Sequence, residues 1–305
     1  MVKKIVIVLL GPTAVGKTET SIEIAKRFNC EIVSVDSKQI YKLMDIGTAK
    51  PPLEIRNKIP HYLIDIVFPN EVYTAGDFCI DASKIINGIL ERGKIPLMVG
   101  GSALYYWLFL RNPISYLPKA DENLRKSLTQ LGKDRLYEEL SKVDPISAKR
   151  IHSNDLHRMV RALEVYYITG KPLSYWHSCK RKDKNDYKIL WIGLNRERSE
   201  LYDRIDKRVE KMISQGLVEE VKSLLEAGYS PDLPAMKGHG YREICDYFRG
   251  KYSLKEAINA IKKDTRHYAK RQMTWFGKWK DVEWFHPDNL KEILERVERW
   301  LNTSL

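Results

Sequence analysis

The sequence predicts an α/β fold: a parallel sheet flanked by helices, with an all-helical insertion. Three observations predict it. Short apolar runs rich in β-branched residues occur at 5–10, 32–35 and 95–99, each followed at once by glycine or aspartate. Helical patterns at 18–28 and 74–92 alternate with them. From about residue 119 the chain becomes helical and charged, and it returns to an apolar run only at 188–194. Alternation of strand and helix argues a doubly wound parallel sheet. Strand, helical excursion and strand again argue a core of residues 1–118 and 188–305, with an insertion at 119–187.

The first run, Ile5-Val6-Ile7-Val8-Leu9-Leu10, has no polar alternation, which suits a strand buried on both faces. Gly11-Pro12-Thr13-Ala14-Val15-Gly16-Lys17-Thr18 follows directly and matches G-x-x-x-x-G-K-T. The glycines let the backbone wrap a phosphate, and the N–H groups at the start of the next helix point at the anion. Lys17 adds a mobile positive charge, and the Thr18 hydroxyl is a candidate Mg²⁺ ligand. The predicted core is therefore P-loop NTPase-like. The second run ends at Asp36, and ligands of parallel sheets sit at the carboxyl ends of strands. Asp36 is thus a candidate catalytic group or, alternatively, a turn cap. Asp65 competes with it on the same grounds. The third run ends in Gly100-Gly101-Ser102, where backbone can approach a ligand closely.

In the insertion, residues 121–168 read as helices with turns at Gly132 and Asp144-Pro145, and 180–188 as a basic loop. Arg158 and Arg161 fall on one helical face. Beyond the last strand the chain is mostly helical. Residues 199–216 place Leu201, Ile205, Val209 and Met212 on one face and Arg204 with Arg208 on another, a pair that reads from spacing alone as a solvated basic stripe. Gly238-His239-Gly240-Tyr241-Arg242 is a turn with groups suited to phosphate. Residues 262–280 hold seven Lys or Arg against one Asp, with Tyr268, Trp275, Phe276 and Trp279 between them. Cations with interleaved aromatics suit single-stranded nucleic acid. An amphipathic helix with core aromatics is the competing reading.

The 305 residues carry 52 Lys and Arg against 40 Asp and Glu, a net charge of +12 that points to polyanionic partners. Four separated cysteines, with no Cys-x-x-Cys pair, argue against a zinc or redox site. The apolar run near the N-terminus is six residues, far short of the ~20 a membrane helix needs, and no cleavage site follows it. A cytoplasmic protein without a membrane anchor is expected.

Taken together, these residues resemble the tRNA dimethylallyltransferases, also called tRNA isopentenyltransferases. The resemblance spans nearly the whole chain. It rests on the phosphate loop, Ser34-Val35-Asp36-Ser37, Ile40-Tyr41, Met44-Asp45-Ile46-Gly47-Thr48-Ala49-Lys50-Pro51, Val99-Gly100-Gly101-Ser102 and Leu104-Tyr105. It continues through Asp144-Pro145, Arg161-Ala162-Leu163-Glu164-Val165, Gly240-Tyr241-Arg242, Ala269-Lys270-Arg271-Gln272 and Thr274-Trp275. The resemblance implies transfer of a dimethylallyl group from dimethylallyl diphosphate to N6 of the tRNA adenine 3′-adjacent to the anticodon. It implies that Gly11, Pro12, Thr13, Ala14, Val15, Gly16, Lys17 and Thr18 hold the diphosphate with Mg²⁺, and that Asp36 is the general base. Thr18 and Arg208 would contact the diphosphate. Asp36, Ser37, Lys38, Gln39, Ser102, Arg125, His157, Arg158, Arg161, Arg242, Lys270, Arg271, Gln272 and Trp275 would meet tRNA, whose anticodon stem-loop the helical insertion would clasp. A monomer is expected. So is the bacterial type, since no zinc-finger segment follows before Leu305. Ser102 replaces the threonine common in the family while keeping its hydroxyl, and the resemblance assigns His239 no role.

Read from the residues alone, a small-molecule or nucleoside kinase with Asp36 activating a hydroxyl explains the first hundred residues but not the basic helical half. An RNA-binding module fits the charge but leaves Lys17, Thr18 and Asp36 without a purpose.

Overall fold

The structure is a computed structural model describing residues 4–111, 117–179 and 187–304. In chain order it begins β1 (Ile5–Leu10), α1 (Lys17–Phe28), β2 (Cys30–Val35), α2 (Leu53–Lys58), β3 (His61–Tyr62), α3 (Ala75–Glu91), β4 (Ile95–Gly100) and α4 (Ala103–Tyr106), followed by a π-helical turn at Trp107–Arg111. Five helices come next: α5 (Glu122–Gln130), α6 (Gly132–Val143), α7 (Pro145–Arg150), α8 (Leu156–Thr169) and α9 (Leu173–Ser178). The chain then forms β5 (Lys188–Leu194), α10 (Arg198–Ser214), α11 (Leu217–Glu226), α12 (Tyr241–Phe248), α13 (Leu254–Phe276), β6 (Glu283–Phe285) and α14 (Leu290–Ser304). It divides into two compact units, residues 1–106 with 186–305 and residues 107–185. Most of the basic stretch read as a loop, 180–186, lies outside the described residues.

The first unit is built on six parallel strands in the order β3-β2-β4-β1-β5-β6. Every residue of β1 is buried, as its unbroken apolar run requires. Ile7 pairs with Leu97 on one side and Leu190 on the other. From β1 the chain passes to β2 on one side of the sheet, and β5 and β6 later extend the other. The winding therefore reverses next to β1, and a ligand crevice opens there at the strands' carboxyl ends. This places the loops at 11–16, 36–39 and 100–102 beside one another.

The aromatics of the basic segment divide between two tasks. Phe276 is fully buried and Trp279 nearly so; both pack edge-on against the buried Tyr106 ring, at 6.4 and 6.5 Å between centroids. The Tyr106 hydroxyl donates to the carbonyls of Met98 and Leu9, at 3.2 and 3.3 Å. These aromatics are core. Trp275, 38% exposed, points away from it.

The second unit packs α5, α6 and α8 around Leu128, Leu136, Leu140, Met159 and Leu163. Asp144-Pro145 starts α7: the Asp144 carboxylate accepts from the Ser147 N–H at 3.0 Å and hydroxyl at 2.6 Å, and Pro145 occupies the first turn. At the centre of α8 lies Glu164, a glutamate with no exposed surface. Arg125 binds it with both a 2.8 Å and a 3.0 Å hydrogen bond, Arg161 binds it too, and the Asp121 N–H donates at 2.8 Å. A buried carboxylate is tolerable only with such complete pairing.

Candidate active site

The glycine-rich loop leaves β1 and turns into α1 through Gly16, whose φ of 118° is left-handed and open to glycine at little cost. No side chain caps α1, so the N–H groups of its first turn keep their capacity for an anion. Ala14 is held at φ 63°, an uncommon conformation for a residue with a Cβ. Two arginines hold the loop in this shape. Arg204 Nε donates to the Ala14 carbonyl, and Arg196 Nε to the Val15 carbonyl, both at 2.9 Å. Arg196 is itself buried and ion-paired with Asp288 at 2.6 Å and with Glu200. Arg204 is thus no solvated stripe. Arg196 drew no attention in the sequence, although its place just beyond the end of β5 is where a site residue of such a sheet belongs.

Lys17 Nζ donates to the carbonyls of Pro12 and Gly11, at 2.7 and 3.0 Å. Burial, and then the neighbouring Arg208 guanidinium, push its ammonium down to about 7, against the pull of Asp36 and Glu19. Burial also lowers Arg208, which the same two carboxylates oppose. Among the described residues Arg208 makes no hydrogen bond and no ion pair. Lys17, Arg208 and Asp36 therefore face one another, with one cation committed to no partner.

Asp36 ends β2 and caps the turn that follows. Its Oδ1 accepts from the N–H of Lys38 at 2.8 Å and of Gln39 at 3.3 Å, and among the described residues its second oxygen is not engaged. Asp65, its competitor in the sequence, sits elsewhere in a charge clamp. Its two oxygens bind Lys50 at 2.5 Å and Arg56 at 2.6 Å. Although burial opposes it, those bonds hold Asp65 below the usual carboxylate range.

The three loops are stitched together. The Ser37 N–H donates to Ser102 Oγ at 3.1 Å. Gln272, from α13, accepts from the Thr13 N–H and donates to the Gly101 carbonyl, both at 2.9 Å. The Tyr268 phenol, raised by burial and by Asp36, faces Ser102 and Gln272.

Of the residues that the resemblance sends to RNA, Lys270, Arg271 and Trp275 are exposed on α13, with Arg271 over the Tyr268 ring at 5.8 Å. Lys38 donates to the Pro234 carbonyl at 2.8 Å. The Gln39 amide is spent on Ser34, Thr48 and Ala49. Arg242 pairs with Asp264 at 2.5 Å and with the buried Glu243. In the second unit His157 is exposed, Arg158 pairs with Asp155 at 3.3 Å, and Arg125 with Arg161 serves Glu164. The His239 ring lies tilted, 5.4 Å from that of Tyr268; its buried Nδ1 makes no hydrogen bond among the described residues, and burial lowers its basicity.

The IPP transferase family model matches residues 39–279. The chain is 47% identical over 296 residues to tRNA dimethylallyltransferase 2 of Geotalea uraniireducens, covering 95% of each. It is 46% identical to the tRNA dimethylallyltransferase of Thermotoga petrophila, again over 95% of each. Among solved structures, the full-length tRNA isopentenylpyrophosphate transferase of Bacillus halodurans is 39% identical with a TM-score of 0.74, covering 99% of this chain and 98% of that one. A eukaryotic dimethylallyltransferase solved acting on tRNA is 32% identical with a TM-score of 0.80, covering 93% and 74%. This chain belongs to the IPP transferase family, that of the tRNA dimethylallyltransferases.

Proposed function

We propose that the protein transfers the dimethylallyl group of dimethylallyl diphosphate to N6 of the adenine 3′-adjacent to the anticodon of tRNA. Family membership supports the reaction class. The observation that carries the site assignment is Arg208, a half-buried cation without a partner among the described residues, facing Lys17 and Asp36 beside a phosphate loop. Two converging cations and a set of free backbone N–H groups suit a diphosphate.

In the reaction the allylic C–O bond breaks and its electron pair leaves with diphosphate. The adenine N6–carbon bond forms, and the N6 proton passes to the Asp36 carboxylate, whose second oxygen is available. Lys17, Arg208 and the loop N–H groups stabilise the charge that builds on the leaving group. The adenine amine is a weak nucleophile because its lone pair is delocalised, so proton acceptance by Asp36 matters most as the bond forms. The Thr18 hydroxyl makes no hydrogen bond among the described residues and is a hard oxygen donor, which fits Mg²⁺. When bound, that ion would offset diphosphate charge.

The partner is the anticodon stem-loop, whose target base must leave its stack to be modified. Exposed Lys270, Arg271 and Trp275 supply charge and a stacking face on the first unit. His157 and Arg158 supply charge on the second. No described helix is long and apolar enough to cross a membrane, and we place the protein in the cytoplasm as a monomer. The kinase alternative explains the loop and Asp36 but not the family to which the chain belongs. The test is incubation of unmodified tRNA with protein, Mg²⁺ and dimethylallyl diphosphate, then mass spectrometry of the nucleosides. Dimethylallyladenosine is expected; its absence, with phosphate transfer from ATP instead, would favour the kinase.

A further inference from the structure

We propose that Gln272 is a positioning residue that latches the phosphate loop to the loop after β4, and not a contact to RNA. This rests on the reading that residues 11–18 hold a diphosphate. Gln272 lies on the buried face of α13 with Ala269 and Phe276, while Lys270, Arg271 and Trp275 lie on the exposed face. It is 5% exposed, and both ends of its amide are used: Oε1 takes the Thr13 N–H and Nε2 donates to the Gly101 carbonyl. An amide spent in this way has little left for a base or a phosphate.

The surroundings fit this use. A Cβ built on Gly101 would stand 2.2 Å from Gln272 Nε2, so position 101 admits the amide only because it has no side chain. Beside it, Ser102 takes the Ser37 N–H, next to Asp36. The Tyr268 phenol, one turn back on α13, faces both Ser102 and Gln272. One helix thus fixes the phosphate loop and the Asp36 loop relative to each other. Among the described residues Thr13 is the one member of the glycine-rich loop whose backbone N–H is held from α13, so the latch sets the loop's mouth directly.

Gln272→Met keeps the side chain's length and apolar bulk but leaves the Thr13 N–H and the Gly101 carbonyl unpaired. Two affinities are read on the full chain with Mg²⁺ present: inorganic pyrophosphate by calorimetry and unmodified tRNA by filter binding. The variant is expected to bind pyrophosphate roughly tenfold more weakly, and tRNA within about twofold of wild type. Gly101→Ala, which displaces the amide from the other side without substituting any residue of α13, is expected to do the same. It serves as the second arm should Gln272→Met fail to fold. Unchanged pyrophosphate affinity in a folded variant overturns the latch. So does a fall in tRNA affinity alone, which would make Gln272 an RNA contact. If wild type itself binds no pyrophosphate, the diphosphate reading fails first and takes the latch with it.

Discussion

The Arg208 guanidinium lies beside the Lys17 ammonium and helps burial push it down to about 7. Two cations so close, with Asp36 facing both, form a site that is costly when empty and relieved by an anion. A bound diphosphate raises Lys17 again, so between its free and bound values binding takes up a proton. Affinity is expected to be greatest below about pH 7 and to fall as pH rises above it. Calorimetry of pyrophosphate binding near pH 7.5, in buffers of differing ionisation enthalpy, reads the proton directly. Wild type should take up more than Lys17→Arg, whose charge does not titrate. Equal uptake would exclude Lys17 as the group.

Asp36 both caps a turn and offers an oxygen to the site, so the informative substitution is Asp36→Asn. Its oxygen still accepts from Lys38 and Gln39. What is lost is the capacity to take a proton, together with the negative charge that acts on Lys17 and Arg208. Single-turnover transfer is expected to drop ~10²–10⁴-fold with tRNA affinity intact. A rate within a few-fold of wild type would mean that another group accepts the proton.

Lys270 and Arg271 protrude from α13 on the face opposite Gln272. Replacing both by Ala is expected to weaken tRNA binding and to flatten its dependence on salt, by about 0.7 in log–log slope for each lost phosphate contact. Filter binding between 50 and 200 mM salt, on the order of the range where such effects are steep, checks this. An unaltered slope would place the tRNA elsewhere.

What the sequence made legible was local. The strand, the glycine-rich loop and the helix after it are consecutive, so pattern and spacing carry them. The groups that shape this loop are remote: Arg196, Arg204 and Gln272 act across 181, 190 and 259 residues. No local signal marks such partners. Asp36 and Asp65 were equivalent as strand-end acids, and only the side chains around them, cations for Asp65 and an open oxygen for Asp36, separate them. The string Met44 to Pro51 was legible only as a family resemblance. Its physical sense is packing: Glu220 accepts the N–H groups of Asp45, Ile46 and Gly47 at 2.8, 2.8 and 3.1 Å, and the Tyr241 ring lies where a Cβ on Gly47 would need to be. For the aromatics of residues 262–280 the sequence left base stacking and core packing open, and burial divides them: Phe276 is core and Trp275 is exposed.

Arg125 and Arg161 were expected at RNA, yet their guanidinium groups surround Glu164, and this has a consequence for the second unit. Burial opposes the Glu164 charge, but hydrogen bonds from Arg125, Arg161 and the Asp121 N–H outweigh it and hold its acid below the ordinary 4.5. A lowered acid stabilises fully above its unfolded value, and that contribution is lost as pH falls through the folded one. Glu164→Ala leaves two half-buried cations without a counter-charge, at a cost of about 3 kcal/mol. Hydrogen exchange at pH 7 is expected to show amides of α5 and α8 losing protection in the variant while β1 and β4 keep theirs. The wild type should lose protection in the same helices as pH falls below 4.5 and through the lowered value of Glu164. Equal protection in variant and wild type would show that the two arginines spend most of their time away from Glu164, free for the phosphates that the resemblance assigns them.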